Sequence, residues 1–255
     1  MIGAGPGRFA LLLALLAAAG GSRAAADDVR CLTFHGTARA PSGEVRYLER
    51  HEVRSLGDRP LSATTTYLAP AGEVIAVLWT DFSRDPFAPS YRFEDRRGGQ
   101  REEVEVSAHE LTLVAGERRR TLARPADPDT RLVTGQGMER YVRQRLADLE
   151  AGADLRVAFA IPSRQDVYDF RVRARPTEPG AATLRVRVEL GAWVLRLFAG
   201  ALEVDYDRAT RRLVRYRGPS NLRDERGENP EVVITYDDLD DAPGTANAEA
   251  ACASL

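Results

Sequence analysis

Apolar and charged residues alternate along most of this sequence. Residues 155–161, LRVAFAI, place an apolar side chain at every second position, and residues 183–190, TLRVRVEL, do the same against arginine and glutamate. Successive side chains of a β-strand point to opposite faces, so a period of two predicts strands with one apolar and one charged face. Short turn segments such as TEPG at 177–180 separate the strands, and this favours antiparallel neighbours.

The alternation predicts ten or eleven strands, or thirteen with the weaker segments included. They cover residues 29–38, 44–56, 61–68, 73–80, 90–96, 101–106, 109–123, 154–161, 166–174, 182–198, 202–206, 212–217 and 231–236. One segment, residues 136–151, follows a helical period instead, and Gly152 stands where the helix would end. Its apolar stripe consists of Met138, Val142, Leu146 and Leu149.

This pattern predicts a mostly β protein. A sheet with one apolar face must cover that face, and a single helix covers ten strands only if the sheet curls around it. We therefore expect a large curved antiparallel sheet or half-barrel wrapped around a helix.

The N-terminal segment predicts export. Arg8 precedes an apolar run at 9–19, and Ala24 and Ala26 are placed for a small-x-small cleavage before Asp27. The run is shorter than the roughly 20 apolar residues that a membrane-spanning helix needs. We expect a mature protein in the periplasm of a bacterium. The expected divisions are a signal peptide at 1–26, one antiparallel half-barrel domain at 27–236 and an acidic, alanine-rich disordered tail at 237–255.

The charge distribution argues against binding of nucleic acid. The formal net charge is -2, but the leader holds two arginines and the tail five acidic residues, so the body between them has a net charge of +1. A nucleic-acid-binding surface needs a concentrated positive field. The sequence contains no lysine, which we attribute mainly to a GC-rich genome.

The last third of the chain carries a family resemblance. Residues 202–236, LEVDYDRATRRLVRYRGPSNLRDERGENPEVVITY, run as strand, tight turn, strand, G-x-S-N loop and closing strand ending in tyrosine. Together with the long series of strands, this order resembles the LolA-like superfamily of periplasmic lipoprotein carriers. The resemblance implies a hollow apolar face that receives acyl chains and is gated by a helix or loop. This chain has one clear helix where the carriers have more.

The apolar residues of the sheet have two interpretations. The segments VIAVLW at 74–79 and GAWVLRLFAG at 191–200 are apolar on both faces, or nearly so, which is typical of strands packed in a core. Alternatively, the larger side chains line a cavity for an apolar ligand, because ligand pockets are mostly apolar. The candidate cavity residues are Trp79, Phe159, Phe170, Trp193 and Phe198, with Met138, Val142, Leu146 and Leu149 on the helix.

The loop at 218–230 also has two interpretations. It is dense in glycine, asparagine, proline and charges of both signs, which is typical of a solvated connection between strands. Alternatively, part of it forms a rim that contacts a partner or a lipid headgroup. The candidate rim residues are Ser220, Asn221, Arg223 and Asp224.

No motif predicts catalysis, a cofactor or a metal site. A serine hydrolase would need a nucleophile on a strained turn such as G-x-S-x-G, which the sequence lacks. His35, His51 and His109 lie in strand-like segments, where a surface or packed role is more common than that of a general base. Cys31 and Cys252 either join the two ends of an exported chain in a disulfide, or Cys252 belongs to a mobile tail.

Two functions from different classes remain open. In the first, the protein is a non-enzymatic exported carrier that binds lipid acyl chains or a lipoprotein on its apolar concave face. In the second, it is a periplasmic interaction or sensor module. That module docks a protein of the inner or outer membrane through its arginine-rich outer face or the 218–230 loop.

Overall fold

A single sheet of fifteen strands dominates the fold. The computed structural model describes residues 29–125, 127, 130–178, 180–191 and 202–236. The first eight strands are β1 (Val29–Arg39), β2 (Val45–Leu56), β3 (Arg59–Leu68), β4 (Val74–Asp81), β5 (Ser90–Asp95), β6 (Arg101–Val106), β7 (Glu110–Ala115) and β8 (Arg118–Ala123). The others are β9 (Arg131–Val133), β10 (Asp154–Ile161), β11 (Asp166–Ala174), β12 (Thr183–Leu190), β13 (Leu202–Asp207), β14 (Leu213–Pro219) and β15 (Glu231–Tyr236). The helical elements are α1 (Gly137–Gln144), α2 (Leu146–Glu150) and a 3-10 turn, η1 (Pro162–Arg164).

The strand order consists of two up-and-down meanders. Strands β1 to β8 are neighbours in chain order, and so are β10 to β15. β1 pairs with β15, Gly36–Arg39 against Val233–Tyr236, and this joins both meanders into one sheet. Strand β9 is parallel to β10, and the other neighbours are antiparallel. No helix among the described residues is long and apolar enough to cross a membrane.

Three apolar clusters show how the sheet curls. The helix cluster comprises Val133, Val142, Leu146, Leu149, Leu155, Val157, Val172, Leu184, Val186, Val188, Val204 and Tyr206. The plug cluster comprises Ala38, Tyr47, Tyr67, Ile75, Ala76, Leu78, Phe93, Leu222, Val232 and Ile234. The overlap cluster comprises Ala88, Val104, Val106, Leu111, Leu113, Leu132, Ala158 and Ala160. The overlap cluster joins β6 and β7 to β9 and β10, which lie near opposite ends of the strand order, so the sheet curls until its ends meet.

Alternation divides each strand between an inner and an outer face. In β12, Val186 and Val188 belong to the helix cluster, so Arg185 and Arg187 lie on the outer face. Arg185 donates there to both carboxylate oxygens of Asp205, at 2.7 and 3.0 Å. The arginine and glutamate positions of the sequence pattern are therefore the outside of the curled sheet.

The predicted helix forms as two short helices separated at Arg145, and its apolar stripe packs on the sheet. Val142, Leu146 and Leu149 are buried in the helix cluster, and Met138 packs against it. The helix begins at Gly137 beside the loop between β4 and β5. A Cβ at Gly137 would lie 2.0 Å from the carbonyl oxygen of Phe87, so no larger residue fits there without moving the backbone. The predicted fold class, a large curved sheet around a helix, is confirmed.

Side chains close the curled sheet where its two ends meet. Arg118 and Arg120 of β8 donate to the backbone carbonyl oxygens of Ser163 and Gln165, each at 2.9 Å. The side-chain amide of Gln165 donates in turn to the carbonyl oxygen of Leu113 at 3.3 Å. We call these contacts the closing seam. Within the described residues β8 pairs only with β7, and β9 only with β10, so the ladder itself stays open at the seam.

Asp85 ties the loop between β4 and β5 to both ends of the sheet. Its carboxylate accepts hydrogen bonds from the backbone N–H groups of Phe87 and Ala88. It also accepts from Arg124, just after β8, and from Arg131, at the start of β9. Burial raises the pKa of Asp85, but the hydrogen bonds from Phe87, Arg124 and Ala88 and the charge of Arg131 outweigh burial, so the pKa lies below its ordinary value.

Three boundaries differ from the prediction. The single strand predicted at 109–123 is wrong, because Gly116 reverses the chain there with a φ of 60° and separates β7 from β8. The strand predicted at 182–198 ends at Leu190, and residues 192–198 lie outside the described residues. Strand β9 was not predicted, because three residues are too few to show a period.

Replacing Leu146 by aspartate tests the packing of the helix. We expect Leu146→Asp to lower the free energy of unfolding by at least about 2–3 kcal/mol, because a carboxylate would be buried in an apolar cluster. Ala147, the next residue, is exposed, so Ala147→Asp should lower it by less than about 1 kcal/mol. Urea denaturation of both variants makes the comparison. Equal losses would mean that the helix does not pack on the sheet through this stripe.

Asp85→Asn should destabilise the protein in a pH-dependent way. The folded-state pKa of Asp85 is depressed, so the carboxylate contributes its full stability above the unfolded pKa of about 3.9 and loses it as the pH falls through the folded value. We expect a loss of about 1.5–3 kcal/mol at neutral pH, the range for hydrogen bonds to a charged group. Urea unfolding at a series of pH values should show this loss shrinking in acid. Asp169→Asn, at an exposed site, is the control and should lower the free energy of unfolding by less than about 0.5 kcal/mol at neutral pH.

Candidate functional site on the concave face

The helices fill the concave face over β10–β14. Of the predicted cavity residues, three are buried in the helix cluster: Val142, Leu146 and Leu149. Three more pack against it and remain half-buried: Met138, Phe159 and Phe170. The rings of Phe159 and Phe170 meet edge to face, with 5.8 Å between their centroids. On this half of the sheet the predicted cavity residues pack as a core. Trp193 and Phe198 lie outside the described residues.

Trp79 lies on the outer face, so its prediction as a cavity residue is wrong. Its neighbour Leu78 belongs to the plug cluster, and its other neighbour Thr80 donates to Gln136 beside α1, so Trp79 points the other way. The guanidinium of Arg92, its cross-strand partner, lies 4.6 Å from the indole centroid. The sequence does not indicate this orientation, because the segment VIAVLW is apolar on both faces.

A chain of five hydrogen-bonded side chains crosses the inner face beside α1. Thr80 donates to Gln136 Oε1, and Gln136 Nε2 donates to Thr65 Oγ1, each at 2.9 Å. Thr65 Oγ1 lies 2.9 Å from His51 Nδ1, and His51 Nε2 lies 2.9 Å from Glu49 Oε2. With neutral His51 protonated on Nε2, every donor in the chain meets an acceptor. Because Gln136 immediately precedes α1, the chain anchors the start of the helix to β2, β3 and β4.

Thr65, His51 and Glu49 have the order of a hydroxyl–imidazole–carboxylate triad. A nucleophile must be reached by its substrate, yet Thr65 is only 1% exposed. Its hydroxyl oxygen also accepts the amide proton of Gln136. The arrangement is therefore suited to holding the helix rather than to attacking a substrate, and His51 is the packed strand residue that its sequence context predicted.

Beyond this chain, towards the β2–β3 turn, the inner face is apolar but only half-buried. Phe34 stacks on His51 with 4.4 Å between ring centroids, so it lies on the inner face. Leu32 and Val53 are cross-strand partners two residues further on, and they share that face. The three apolar side chains Leu32, Phe34 and Val53 are half-buried, and none belongs to the three clusters of described residues.

Charged residues of α1 form the opposite wall. The guanidinium of Arg140 donates to the carbonyl oxygen of Asp58 in the β2–β3 turn at 2.8 Å, so α1 lies beside this end of the sheet. Glu139 pairs with Arg143 at 3.5 Å. Burial raises the pKa of Glu139, and the charges of Arg143 and Arg140 oppose this only in part. We call the region between Leu32, Phe34 and Val53 on the strands and Glu139, Arg140 and Arg143 on α1 the strand–helix groove.

The loop at 218–230 is anchored in the interior. The Ser220 hydroxyl donates to the Tyr47 hydroxyl at 3.1 Å, and the Asn221 amide donates to the Tyr67 hydroxyl at 3.0 Å. Leu222 is 3% exposed and belongs to the plug cluster. Burial, reinforced by the nearby negative charge of Glu49, raises the pKa of both phenols, so they stay protonated. Ser220 is therefore engaged inside the fold and does not belong to a rim. Asn221 is exposed although its amide is bound to Tyr67, so its place in a rim stays a prediction.

The charged part of the loop makes local contacts. Arg223 lies 3.7 Å from Glu102, and its carbonyl oxygen accepts a hydrogen bond from Arg97. Asp224 accepts from the backbone N–H groups of Arg226 and Glu228, which folds the tip of the loop into a turn. This tip is exposed, which fits a solvated connection, and its alternative role as a rim stays a prediction. The signal for the anchored half was Leu222, an isolated apolar residue in a polar run.

The remaining predicted site concerns the cysteines. Cys31 is disulfide-bonded. Its predicted partner, Cys252, lies outside the described residues, so the pairing stays a prediction. Within the part of the chain that the structure describes, no group of three or more His, Cys, Asp and Glu side chains could hold a metal ion.

Truncating Leu222 tests whether the loop is a plug. We expect Leu222→Ala to lower the free energy of unfolding by about 2–5 kcal/mol, the range for a buried leucine, because it opens a cavity in the plug cluster. Arg226, at the tip of the same loop, is exposed, so Arg226→Ala should stay within about 0.5 kcal/mol of the parent protein. Chemical denaturation measures both. A mild effect of the leucine change would show that the loop is a surface connection throughout.

Comparisons with known proteins do not assign a family. No family model matches the sequence, and no curated protein matches it either. Among solved structures, the chain is similar to a β-barrel-like protein of a domain of unknown function, DUF1849, from Brucella abortus. That similarity has 10% sequence identity and a TM-score of 0.39, and it covers 83% of this chain and 97% of the other. A similarity this weak carries no argument about function, and the resemblance to the LolA-like superfamily stays a prediction.

Proposed function

We propose that this protein binds a ligand with an apolar chain, such as a lipid acyl chain, in the strand–helix groove. The observation that supports this is the set of half-buried inner-face side chains Leu32, Phe34 and Val53. Elsewhere on the inner face, helices, the plug or the overlapping sheet ends cover the apolar residues. A concave apolar surface that the fold leaves partly open is the usual setting of a ligand site.

The second wall of the groove suits the polar end of such a ligand. Arg140 and Arg143 offer guanidinium groups that pair well with a carboxylate or phosphate. Glu139 lies between them in sequence and pairs with Arg143, so a headgroup anion would compete with this carboxylate. An amphipathic ligand would lie with its chain along β1 and β2 and its headgroup towards α1.

The contacts of the 218–230 loop favour the carrier hypothesis over the interaction module. Ser220 and Leu222 are buried and committed to contacts inside the fold, so they offer little for docking a partner. We further propose that the protein is exported and acts without a catalytic step or cofactor. The N-terminal leader pattern supports the first part of that proposal.

Binding of a fluorescent long-chain fatty acid tests the groove. We expect Val53→Asp to weaken the affinity for this probe by about tenfold or more, because a charge would displace apolar contact with the chain. Val114 lies on the outer face of β7, next to Leu113 of the overlap cluster, so Val114→Asp is the matched control and should change the affinity less than about twofold. Circular dichroism and thermal melting of both variants identify any loss of folding.

Native mass spectrometry of the gently purified protein supplies the second measurement, and co-purified lipid is the expected result. The proposal would be abandoned if the delipidated parent protein did not bind the probe. It would also be abandoned if folded Val53→Asp bound the probe as tightly as the parent.

A further inference from the structure

The outer face of the second meander has more arginine than its carboxylates can pair. Two of the three acidic residues of β13, Glu203 and Asp205, face arginines of β12, and the third, Asp207, accepts hydrogen bonds from Thr210. Arg185 engages both oxygens of Asp205, and Arg187 lies 3.8 Å from Glu203 while it also donates to Glu189. The carboxylates of Glu203 and Asp205 are therefore committed to the strand on one side of β13.

The arginines without a carboxylate partner lie on β14, the strand on the other side of β13. Arg215 is the cross-strand partner of Asp205, and Arg217 is that of Glu203. Within the described residues, neither arginine forms an ion pair, and Arg215 Nε is buried without an acceptor. The two guanidinium groups lie with Arg185, Glu203 and Asp205 around a shallow cleft.

A third arginine extends this surface onto the first meander. Arg217 pairs across the sheet with Val233 of β15, and Val233 pairs in turn with Arg39 of β1. Arg39 is exposed and lies on the outer face, because its neighbour Ala38 belongs to the plug cluster. We call Arg39, Arg215 and Arg217 the basic patch. It spans three neighbouring strands, a width of roughly 10 Å between the outer two.

We propose that the basic patch docks this protein on an anionic phospholipid surface. Guanidinium groups bind phosphate oxygens with paired, charge-assisted hydrogen bonds. The patch lies on the outside of a curled sheet, and its arginines are side by side rather than converging on one point, which suits several headgroups of a membrane better than a single phosphate ion. It is on the opposite side of the sheet from the strand–helix groove and does not depend on the function proposed for that groove.

Vesicle binding with charge-matched variants tests the proposal. The parent protein is expected to bind phosphatidylglycerol vesicles and to bind phosphatidylcholine vesicles far more weakly. The double variant Arg215→Gln/Arg217→Gln should bind the anionic vesicles about twenty-five-fold more weakly, since each arginine near such a surface strengthens binding about fivefold. The control, Arg101→Gln/Arg119→Gln, removes the same charge from exposed ion-paired arginines of β6 and β8, away from the basic patch. It should change binding by about twofold at most. Thermal melting establishes that both variants fold.

Four results would overturn the proposal. Equal binding to both kinds of vesicle would show that the protein does not recognise an anionic headgroup. Equal losses of binding in both double variants would show that the net charge of the protein matters and not the basic patch. Displacement of the protein by inorganic phosphate at matched ionic strength would show a site for the free ion. Binding only to vesicles that retain their native envelope proteins would replace the lipid surface by a protein partner.

Discussion

The pairing of the first strand with the last holds the two meanders in one surface. It rests on four residue pairs between β1 and β15, and its tightest point is Gly36. A Cβ at Gly36 would lie 2.9 Å from the ring of Tyr236 and 3.1 Å from the carboxylate of Glu49, so this position has almost no room for a side chain. Because the pair joins β2 and β3 to β14, it brings Tyr47 and Tyr67 beneath the loop that precedes β15. Without it, the helix, the plug and the groove would have no common interior.

The second constraint is the area of the inner face. Two helices of eight and five residues cannot cover fifteen strands. Three different elements therefore cover the inner face together. The helices cover the second meander, the anchored loop covers one end of the first, and the overlapping ends of the sheet cover each other. The strand–helix groove is the part of the inner face that none of these three covers. A single polar chain, from Thr80 to Glu49, separates it from the plug cluster and fixes the start of α1 at its edge.

The sequence allowed the strands and the helix stripe to be predicted because both depend on local periods. The burial of Val142, Leu146 and Leu149 follows from helical spacing alone. Trp79 was misplaced because its segment is apolar on both faces, so no period assigns a side. The anchoring of Ser220 and the chain through His51 depend on residues from distant parts of the sequence, and local composition carries no information about either. The groove could not be predicted, since an apolar residue looks the same in a sequence whether the fold buries it fully or by half.

The closing seam also bears on how molecules of this protein behave towards one another. A sheet whose ladder stays open keeps a free edge, and an exposed edge is a template on which a strand of another molecule can add, the first step towards aggregation. The edge strand β8 begins with three successive arginines, Arg118, Arg119 and Arg120. Long charged side chains on an edge oppose such addition. The arginines that hold the seam therefore also guard the edge, and the fold can remain an incomplete barrel without inviting intermolecular sheet growth.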